Sequence, residues 1–363
     1  MDRKNNAPHT RHSRIIIDLD AIRHNYRLLK QTASDSQVIA VIKADAYGHG
    51  AIEVAKALPA ADAFAVATTL EAIPLRAAGI EQKIIILGGV IDAHEMQQCI
   101  DYRLDPVIHQ FWQIDLLANI ATTGALDVWL KFNSGMGRLG FSLPDMAQAV
   151  ERISKLPQLK QLRLMTHLSD ADDADDDKTL RQIEQVKALQ LDDYEWGIAN
   201  SAGIAGWPQS RLNWVRAGIA LYGSDPMLDH RWNEKLQPAM TFKAQLLAIN
   251  HLQAGQSIGY GSRYVCPRDQ TIGVVSAGYA DGYPRHLQQG RVIINEQTVP
   301  VVGRVSMDMI TVDLSDIEAS AGEEVTLWGK DLLANEVAEH SETIAYELFC
   351  HAGCHGLREF INK

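Results

Sequence analysis

The chain has 363 residues, of which 46% are hydrophobic and 22% charged, and its formal net charge at neutral pH is −11. These values are typical of a globular protein with one large domain or two medium ones, and they exclude a disordered or fibrous chain. Because no stripe of lysine and arginine is present, the sequence also argues against a nucleic-acid partner.

No apolar run in the sequence reaches the length of a transmembrane helix. The basic segment 1–12 precedes only the run 14–18, which is too short for the hydrophobic core of a signal peptide. The four cysteines, at positions 99, 266, 350 and 354, are scattered, as in a protein whose thiols stay reduced. The sequence therefore predicts a cytoplasmic protein that does not enter a membrane.

Between residues 38 and 223, short apolar runs that end in polar residues alternate with stretches of helical periodicity. This alternation predicts an α/β fold, a (β/α)8 TIM-type barrel, whose active-site side chains lie at the C-terminal ends of its strands. The eight candidate strands are 38–43, 64–67, 84–87, 104–108, 127–132, 162–167, 195–200 and 213–216.

From about residue 237 the pattern changes to short β-rich runs that are separated by glycine, proline and asparagine. A helical pattern returns only at about 343–350. The sequence therefore predicts a barrel domain over 13–235 and a mainly β C-terminal domain over 236–363. The candidate strands of the second domain are 240–248, 271–276, 291–294, 299–302, 310–312 and 324–327.

Lys43 ends the first apolar run, where a buried strand would meet the mouth of the barrel. Partial desolvation of an ammonium favours its neutral form, which is a nucleophile and a base. On position alone, a surface lysine whose stem lies along apolar surface is an equally good interpretation.

The residues from Lys43 onward read Lys-Ala-Asp-Ala-Tyr47-Gly-His-Gly. This segment resembles the pyridoxal phosphate attachment motif of the alanine racemase family, and the resemblance extends from segment 17–25 to the final β runs. In that family the lysine forms a Schiff base with the cofactor and serves as one of two bases, while the tyrosine binds the cofactor phosphate. The resemblance implies these roles for Lys43 and Tyr47.

The segment Lys131-Phe-Asn-Ser-Gly-Met-Gly-Arg138 is similar to a second motif of the family. The family's arginine contacts the phenolic oxygen of the cofactor and the substrate carboxylate, a role that suits a fixed, charged fork. The family's lysine is often carbamylated, which turns a cation into an anion that orients the arginine. The resemblance implies these roles for Arg138 and Lys131, which would otherwise repel each other.

Further cofactor contacts of the barrel follow from the resemblance. His167 would lie against the cofactor ring, although a histidine there is also typical of a satisfied core residue. Ser201 and the backbone of Gly218 and Ile219 would hold the phosphate, because small residues allow close approach to an anion. Arg216 would contact the pyridine nitrogen, and since arginine does not accept a proton, it would limit the cofactor as an electron sink.

Tyr260, in the segment Ser257-Ile-Gly-Tyr-Gly-Ser262, matches the second base of the family, which acts on the opposite face of the substrate from the lysine. In the family this tyrosine reaches the lysine only across a dimer interface, so the resemblance implies a homodimer with shared active sites. It also implies that the backbone of Met307 contacts the substrate carboxylate and that Tyr279 lies near the entrance. An aromatic residue packed on a β core is the ordinary alternative for such a tyrosine.

The resemblance thus implies a pyridoxal phosphate-dependent isomerase that interconverts L- and D-alanine and supplies D-alanine for peptidoglycan. A racemase of serine or of broader specificity remains open from the sequence. A non-catalytic pyridoxal phosphate carrier and a pyridoxal phosphate-dependent decarboxylase are disfavoured, because the first lacks a β domain and the second uses a glycine-rich phosphate loop that is missing here.

No metal site is predicted. Cys350 and Cys354 have an allowed spacing for zinc, but no second Cys/His pair follows them. The acidic stretch 170–178 lacks the central glycine and closing glutamate of a calcium loop. The end of the chain, 355–360, departs from the family, where some members have a tyrosine, so no site residue is assigned there.

Overall fold

The computed structural model describes residues 12–120, 124–233, 235–355 and 357–363, and only the backbone of Cys354 and His355. Most of the basic segment 1–12 and the side chain of Cys354 therefore lie outside the described residues. No described helix combines the length and the apolar character that are needed to cross a membrane. Within the described residues, no group of three or more His, Cys, Asp or Glu side chains has an arrangement that could hold a metal ion.

The chain folds into two compact units. We call the first the barrel unit, which comprises residues 21–46 and 50–237, and the second the β unit, which comprises residues 12–20, 47–49 and 238–363. The predicted domain limits, 13–235 and 236–363, stay a prediction.

The predicted barrel is confirmed, since eight parallel strands, β2 to β9, close into a barrel in chain order. Each lies within three residues of the predicted run at both ends. Strand β1 (Arg14–Asp18) belongs to the β unit. The barrel strands are β2 (Gln37–Val41), β3 (Ala63–Val66), β4 (Lys83–Ile86), β5 (Asp105–Ile108), β6 (Leu126–Lys131), β7 (Leu159–Met165), β8 (Glu195–Gly197) and β9 (Trp214–Ala217).

Helices follow the barrel strands and cover their outer face, so the strands are buried on both sides and consist of nearly continuous apolar runs. The helices of this part of the chain are α1 (Leu19–Ala33), α3 (Ala51–Ala57), α4 (Thr69–Ala77), α5 (Ala93–Asp101), α6 (Phe111–Asn119), α7 (Leu143–Ser154), α8 (Lys178–Ala188) and α9 (Ser201–Gly206), and the short segment α2 (Lys43–Tyr47) is a left-handed turn.

Side chains fill the barrel interior. Trp129 and Trp214 meet edge to face, with 5.7 Å between ring centroids, and the guanidinium of Arg163 lies 5.8 and 5.4 Å from the two centroids. Arg163 also forms ion pairs with Asp127 and Glu195, at 3.2 and 2.6 Å. The charge of the buried arginine is therefore both paired and packed.

The β unit is built on an eight-stranded sheet with the strand order β13-β16-β15-β14-β17-β10-β1-β18, and β10 also pairs with β13. The sequence predicted six of these strands, β10 and β13 to β17, but not β1 or β18. The remaining elements of the chain are β10 (Met240–Leu252), β11 (Ser257–Ile258), β12 (Tyr264–Val265), β13 (Gln270–Val275), β14 (Arg291–Ile294), β15 (Gln297–Val302), β16 (Ile310–Asp313), β17 (Glu324–Trp328), α10 (Ala334–Glu339), α11 (Ala345–His355) and β18 (Leu357–Ile361).

Strand β1 runs antiparallel to β10 and parallel to β18. Its burial alternates, with Ile15 and Ile17 fully buried, as expected for a strand with one face on the core. The core of the β unit includes Phe242, Trp328 and Tyr283, whose rings are in contact.

Candidate active site

Lys43 begins a strained left-handed turn directly after β2. The four residues that follow it, 44–47, have φ angles between 51° and 54°, and none of them is glycine. A left-handed turn costs L-residues about 1–2 kcal/mol each, so it persists only where the surrounding structure holds it. Such strain is concentrated at functional sites, which makes the position of Lys43 the first structural mark of an active site.

The carboxylate of Glu71 holds the beginning of this turn. Its Oε1 accepts a hydrogen bond from the Ala44 N–H at 2.8 Å, and its Oε2 accepts one from the Ala67 N–H at 2.6 Å. One side chain of α4 thus ties together the chain segments that follow β2 and β3. The Asp45 carboxylate stabilises the next segment by accepting from the Ala51 N–H at 2.7 Å. The sequence interpretation missed Glu71, whose only local signal is an acidic residue in the first turn of a helix.

Replacing Glu71 with glutamine is expected to lower the free energy of unfolding by about 1 kcal/mol, the typical value of one hydrogen bond. Glutamine has a single carbonyl oxygen, so only one of the two backbone N–H groups keeps its acceptor. Urea denaturation measures the difference, and Glu53→Gln on α3 is the matched control. Equal stability of the two variants would show that Glu71 does not hold the turn.

The mouth of the barrel carries five cationic or ionisable side chains, which are Lys43, Lys131, Arg138, His167 and Arg216. Burial and the charges of Arg216, Arg138 and Lys43 lower the pKa of Lys131 to about 8. Burial and the same cations, together with Lys131, hold the pKa of His167 well below its ordinary value. Because positive charge dominates this cluster, it attracts an anionic ligand.

Arg216 is held by backbone carbonyl groups. Its guanidinium donates to Gly197 O at 2.7 Å, to Thr166 O at 2.6 Å and to Ile198 O at 3.0 Å. Burial lowers the pKa of Arg216 to about 10, so the group stays charged at neutral pH. Its Nη2 also lies 3.4 Å from Nδ1 of His167, where a neutral imidazole accepts a hydrogen bond.

Hydrogen bonds connect the segment that follows β9 to the first residue of α9. The Oγ of Ser201 accepts hydrogen bonds from the N–H groups of Gly218 and Ala220, at 2.9 and 3.3 Å. Ser201 is buried, and the Asn200 side chain caps α9 by accepting from the Gly203 N–H at 2.8 Å. The predicted residues Ser201, Gly218 and Ile219 are therefore close together, with a hydroxyl and backbone N–H groups at one place.

The loop from Lys131 to Arg138 depends on its glycines. The Asn133 Oδ1 accepts from the N–H groups of Gly135 and Gly137, and Gly137 has a φ of 72°. At Gly140, with a φ of 126°, a Cβ would lie 2.7 Å from the Asn133 backbone nitrogen. The loop therefore folds tightly back on the end of β6, which keeps the exposed Arg138 within electrostatic reach of Lys131.

The β unit contains the remaining predicted residues. Tyr47 is buried beside Tyr346, with 5.8 Å between ring centroids, and burial raises the pKa of its hydroxyl far above the ordinary value. Tyr260 lies between Gly259 and Gly261, which both have positive φ angles, and 71% of its surface is exposed. Met307 is also exposed, at 53%. Tyr260 is therefore not the packed core aromatic of the alternative interpretation.

A closed parallel barrel with a strained lysine turn and a partly buried cation cluster at its C-terminal mouth, followed by a β unit, defines a class of barrel enzyme that binds an anionic ligand. The family model for the N-terminal domain of alanine racemase matches residues 17–226, and the model for the C-terminal domain matches residues 239–359. The chain belongs to the alanine racemase family, whose members are pyridoxal phosphate-dependent isomerases.

Known proteins and solved structures agree with this assignment. The chain is 45% identical to the alanine racemase of Azoarcus sp. (strain BH72) over 93% of this chain and 96% of the relative. It is 43% identical to the alanine racemase of Pseudomonas taetrolens over 94% and 97% of the two chains. The crystal structure of the biosynthetic alanine racemase from Pseudomonas aeruginosa superimposes with a TM-score of 0.94 at 40% identity, over 96% of this chain and 99% of that one.

A further solved structure bears on the cofactor. The alanine racemase from Bartonella henselae, with covalently bound pyridoxal phosphate, superimposes with a TM-score of 0.88 at 29% identity, over 96% of this chain and 99% of that one. The cation cluster fits a phosphorylated cofactor and a carboxylate substrate, since both are anions that its positive charge would stabilise.

Proposed function

We propose that the chain interconverts L- and D-alanine with two bases, Lys43 Nζ and Tyr260 Oη, in active sites that two subunits share. The observation that carries the proposal is the strained turn that presents Lys43 beside the cation cluster. The relatives that are alanine racemases support alanine as the substrate.

The predicted residues would bind different parts of the cofactor. Ser201, Gly218 and Ile219 would hold the cofactor phosphate, with Tyr47 as a further phosphate contact. Pyridoxal phosphate, when bound, withdraws electrons from the substrate Cα and makes its proton removable. His167 would lie against the cofactor ring.

Arg216 and Arg138 would have different roles in the reaction. Arg216 donates to three carbonyl groups and accepts no proton, so it would leave the cofactor's ring nitrogen unprotonated and favour return of the proton to Cα. Arg138 would bind the substrate carboxylate, together with the backbone of Met307.

Inversion at Cα needs a proton donor and acceptor on each face. Lys43 Nζ takes or returns the proton on one face, and Tyr260 Oη takes or returns it on the other. The β unit exposes Tyr260 and also Tyr279, Met307 and Met309, at 71%, 40%, 53% and 44% exposure. A second subunit that covers these side chains would form the homodimer that the family resemblance implies.

We place this activity in the cytoplasm, where it would supply D-alanine for peptidoglycan. Cys99 and Cys266 are buried free thiols, which supports a reducing compartment. The match of the C-terminal family model weighs against a non-catalytic carrier, because a carrier lacks the β domain.

Lys131 would be carbamylated, which would turn it into an anion that pairs with Arg138. With dissolved CO2 held constant, the rate of CO2 uptake is expected to rise about tenfold per pH unit up to about pH 8 and then to level off. Only the neutral amine reacts, and the lowered pKa makes half of it neutral at about pH 8 rather than at the ordinary 10.5. Carbon-13 NMR with labelled bicarbonate measures uptake, and Lys131→Met gives the background. A rate that rises unchanged to pH 10 would contradict this.

The activity itself is tested by incubating the purified protein with L-alanine in deuterium oxide. We expect D-alanine to form and both enantiomers to gain deuterium at Cα. Serine, supplied in a parallel reaction, tests a broader specificity. Absence of D-alanine from the cofactor-loaded protein would refute the proposed function.

A further inference from the structure

Asp281 is a buried carboxylate of the β unit that has no role in the proposed mechanism. It ends a short 3-10 helix, Tyr279–Asp281, and only 2% of its surface is exposed. Its Oδ1 accepts a hydrogen bond from the hydroxyl of Ser13 at 2.8 Å, and its Oδ2 accepts one from the Gly278 N–H at 3.0 Å. Because a buried carboxylate is stable only when hydrogen bonds satisfy it, Asp281 and its donors hold one another in place.

Asp281 belongs to the turn of residues 278–282, which we call the tyrosine turn. The backbone of Asp281 closes this turn, since its N–H donates to Gly278 O at 3.0 Å. The bond from Ser13, which is also buried, joins the turn to the segment that precedes β1. On the other side, a Cβ at Gly282 would lie 2.5 Å from the backbone nitrogen of Ala352, so the turn packs closely on α11. The tyrosine turn is therefore fixed on two sides.

The tyrosine turn binds two carbonyl groups of the loop between β15 and β16. The N–H of Tyr279 donates to Ser306 O at 3.1 Å, and the N–H of Ala280 donates to Met307 O at 2.9 Å. A Cβ at Gly278 would lie 2.3 Å from both of these carbonyl oxygens, so the two segments approach as closely as a glycine allows. The position of the turn therefore sets the positions of the Ser306 and Met307 carbonyl groups.

The direction of the Met307 N–H follows from that of the Ser306 carbonyl. The two groups belong to one peptide plane, and in a trans peptide they point in opposite directions. Because Ser306 O faces the tyrosine turn, the Met307 N–H points away from it. This N–H donates to no backbone carbonyl of the described residues, and 53% of the Met307 surface is exposed. It is thus a fixed donor that is available to a carboxylate.

We propose that Asp281 is a positioning residue which, together with Ser13, holds the tyrosine turn and thereby keeps the Met307 N–H in place for the substrate carboxylate. The inference deepens the proposed function and rests on it, because the contact between Met307 and the carboxylate belongs to that proposal. Asp281 acts through the backbone of the turn and not on the reacting atoms. Its loss therefore weakens binding of the carboxylate and leaves both bases unchanged.

The test compares Asp281→Ala with Asp281→Asn in the full-length, cofactor-loaded protein. The first substitution removes both acceptor oxygens. The second keeps an oxygen for the Gly278 N–H and supplies an NH2 group that can donate to the Ser13 hydroxyl. We expect Asp281→Ala to raise KM for L-alanine about tenfold with kcat within about twofold, since a contact made equally in the ground and transition states changes KM alone. Asp281→Asn should stay within about threefold of the unsubstituted protein.

Two fragments of the substrate separate a lost carboxylate contact from general damage to the site. Propionate is alanine without its amino group, and ethylamine is alanine without its carboxylate. In Asp281→Ala, the inhibition constant of propionate should rise about tenfold, as KM does. The Kd of ethylamine, measured from the absorbance of the cofactor, should stay within about twofold, because ethylamine makes no carboxylate contact.

Ser13→Ala is a milder test that removes one hydroxyl, and it decides the matter if Asp281→Ala does not fold. Its control is Ser341→Ala, at a buried serine of the β unit whose hydroxyl donates to Val337 O at 2.7 Å. We expect KM to rise about threefold in Ser13→Ala and to stay unchanged in the control.

Four results would overturn the inference: an unchanged KM in Asp281→Ala, an equal rise in Asp281→Asn, an equal loss of affinity for propionate and ethylamine, or an equal KM in Ser13→Ala and Ser341→Ala. Racemisation in deuterium oxide by the unsubstituted protein tests the proposed function separately, so the two failures can be told apart.

Discussion

Replacing Lys43 with alanine is expected to lower kcat/KM for L-alanine by about 10³-fold or more. The substitution removes the base on one face of Cα, and a positioned base contributes about 10²–10⁴-fold on its own. It also removes the amine that would attach the cofactor. A coupled assay of D-alanine formation measures the loss, and borohydride treatment followed by mass spectrometry locates the cofactor on the chain.

The control for this substitution is Lys56→Ala, which removes an exposed lysine of α3. The control is expected to keep the activity and to carry the cofactor on the peptide that contains Lys43. Cofactor attached to another lysine, or activity retained in Lys43→Ala, would refute the assignment of Lys43.

Tyr260→Phe is the second substitution with a large expected effect. Racemisation should fall by about 10²-fold or more in both directions, because a proton must pass on both faces of Cα. Exchange of the Cα hydrogen for deuterium should separate the directions. From L-alanine it should be lost, whereas from D-alanine Lys43 still takes the proton and exchange should continue.

Proton NMR in deuterium oxide measures both exchange rates, and Tyr102→Phe, at a partly exposed tyrosine of the barrel unit, is the control. Tyr260 is exposed, so removal of its hydroxyl should leave the fold intact. Equal loss of exchange from the two enantiomers would contradict the division of the two faces between Lys43 and Tyr260.

The barrel was predictable because each of its strands is a short apolar run that is buried on both faces. The β unit was harder, because some of its strands pair with partners that are distant in the chain. Strand β1, for example, pairs with β10 through Ile15 and Phe242. In the sequence, Arg14–Asp18 is an apolar run of three isoleucines that does not alternate with polar residues, so the sequence marks neither a strand with one buried face nor its partner.

The motifs predicted the residues of the candidate site but not the groups that support them. The left-handed turn after Lys43 contains no glycine, so no local signal predicts its conformation. Glu71 accepts hydrogen bonds from backbone N–H groups of two separate segments, and Arg216 donates to carbonyl groups at the ends of two other strands. Such roles depend on tertiary contacts, which a linear pattern does not contain.

The proposed site, which joins Lys43 of one subunit to Tyr260 of the other, is tested most directly by mixing two inactive variants. Lys43→Ala and Tyr260→Phe are produced with different affinity tags, and the mixed dimer is purified through both tags. One of its two sites then carries both substitutions and the other carries neither. We predict that the mixed dimer recovers about half of the activity of the unsubstituted dimer. A mixed dimer as inactive as its parents would contradict the shared site.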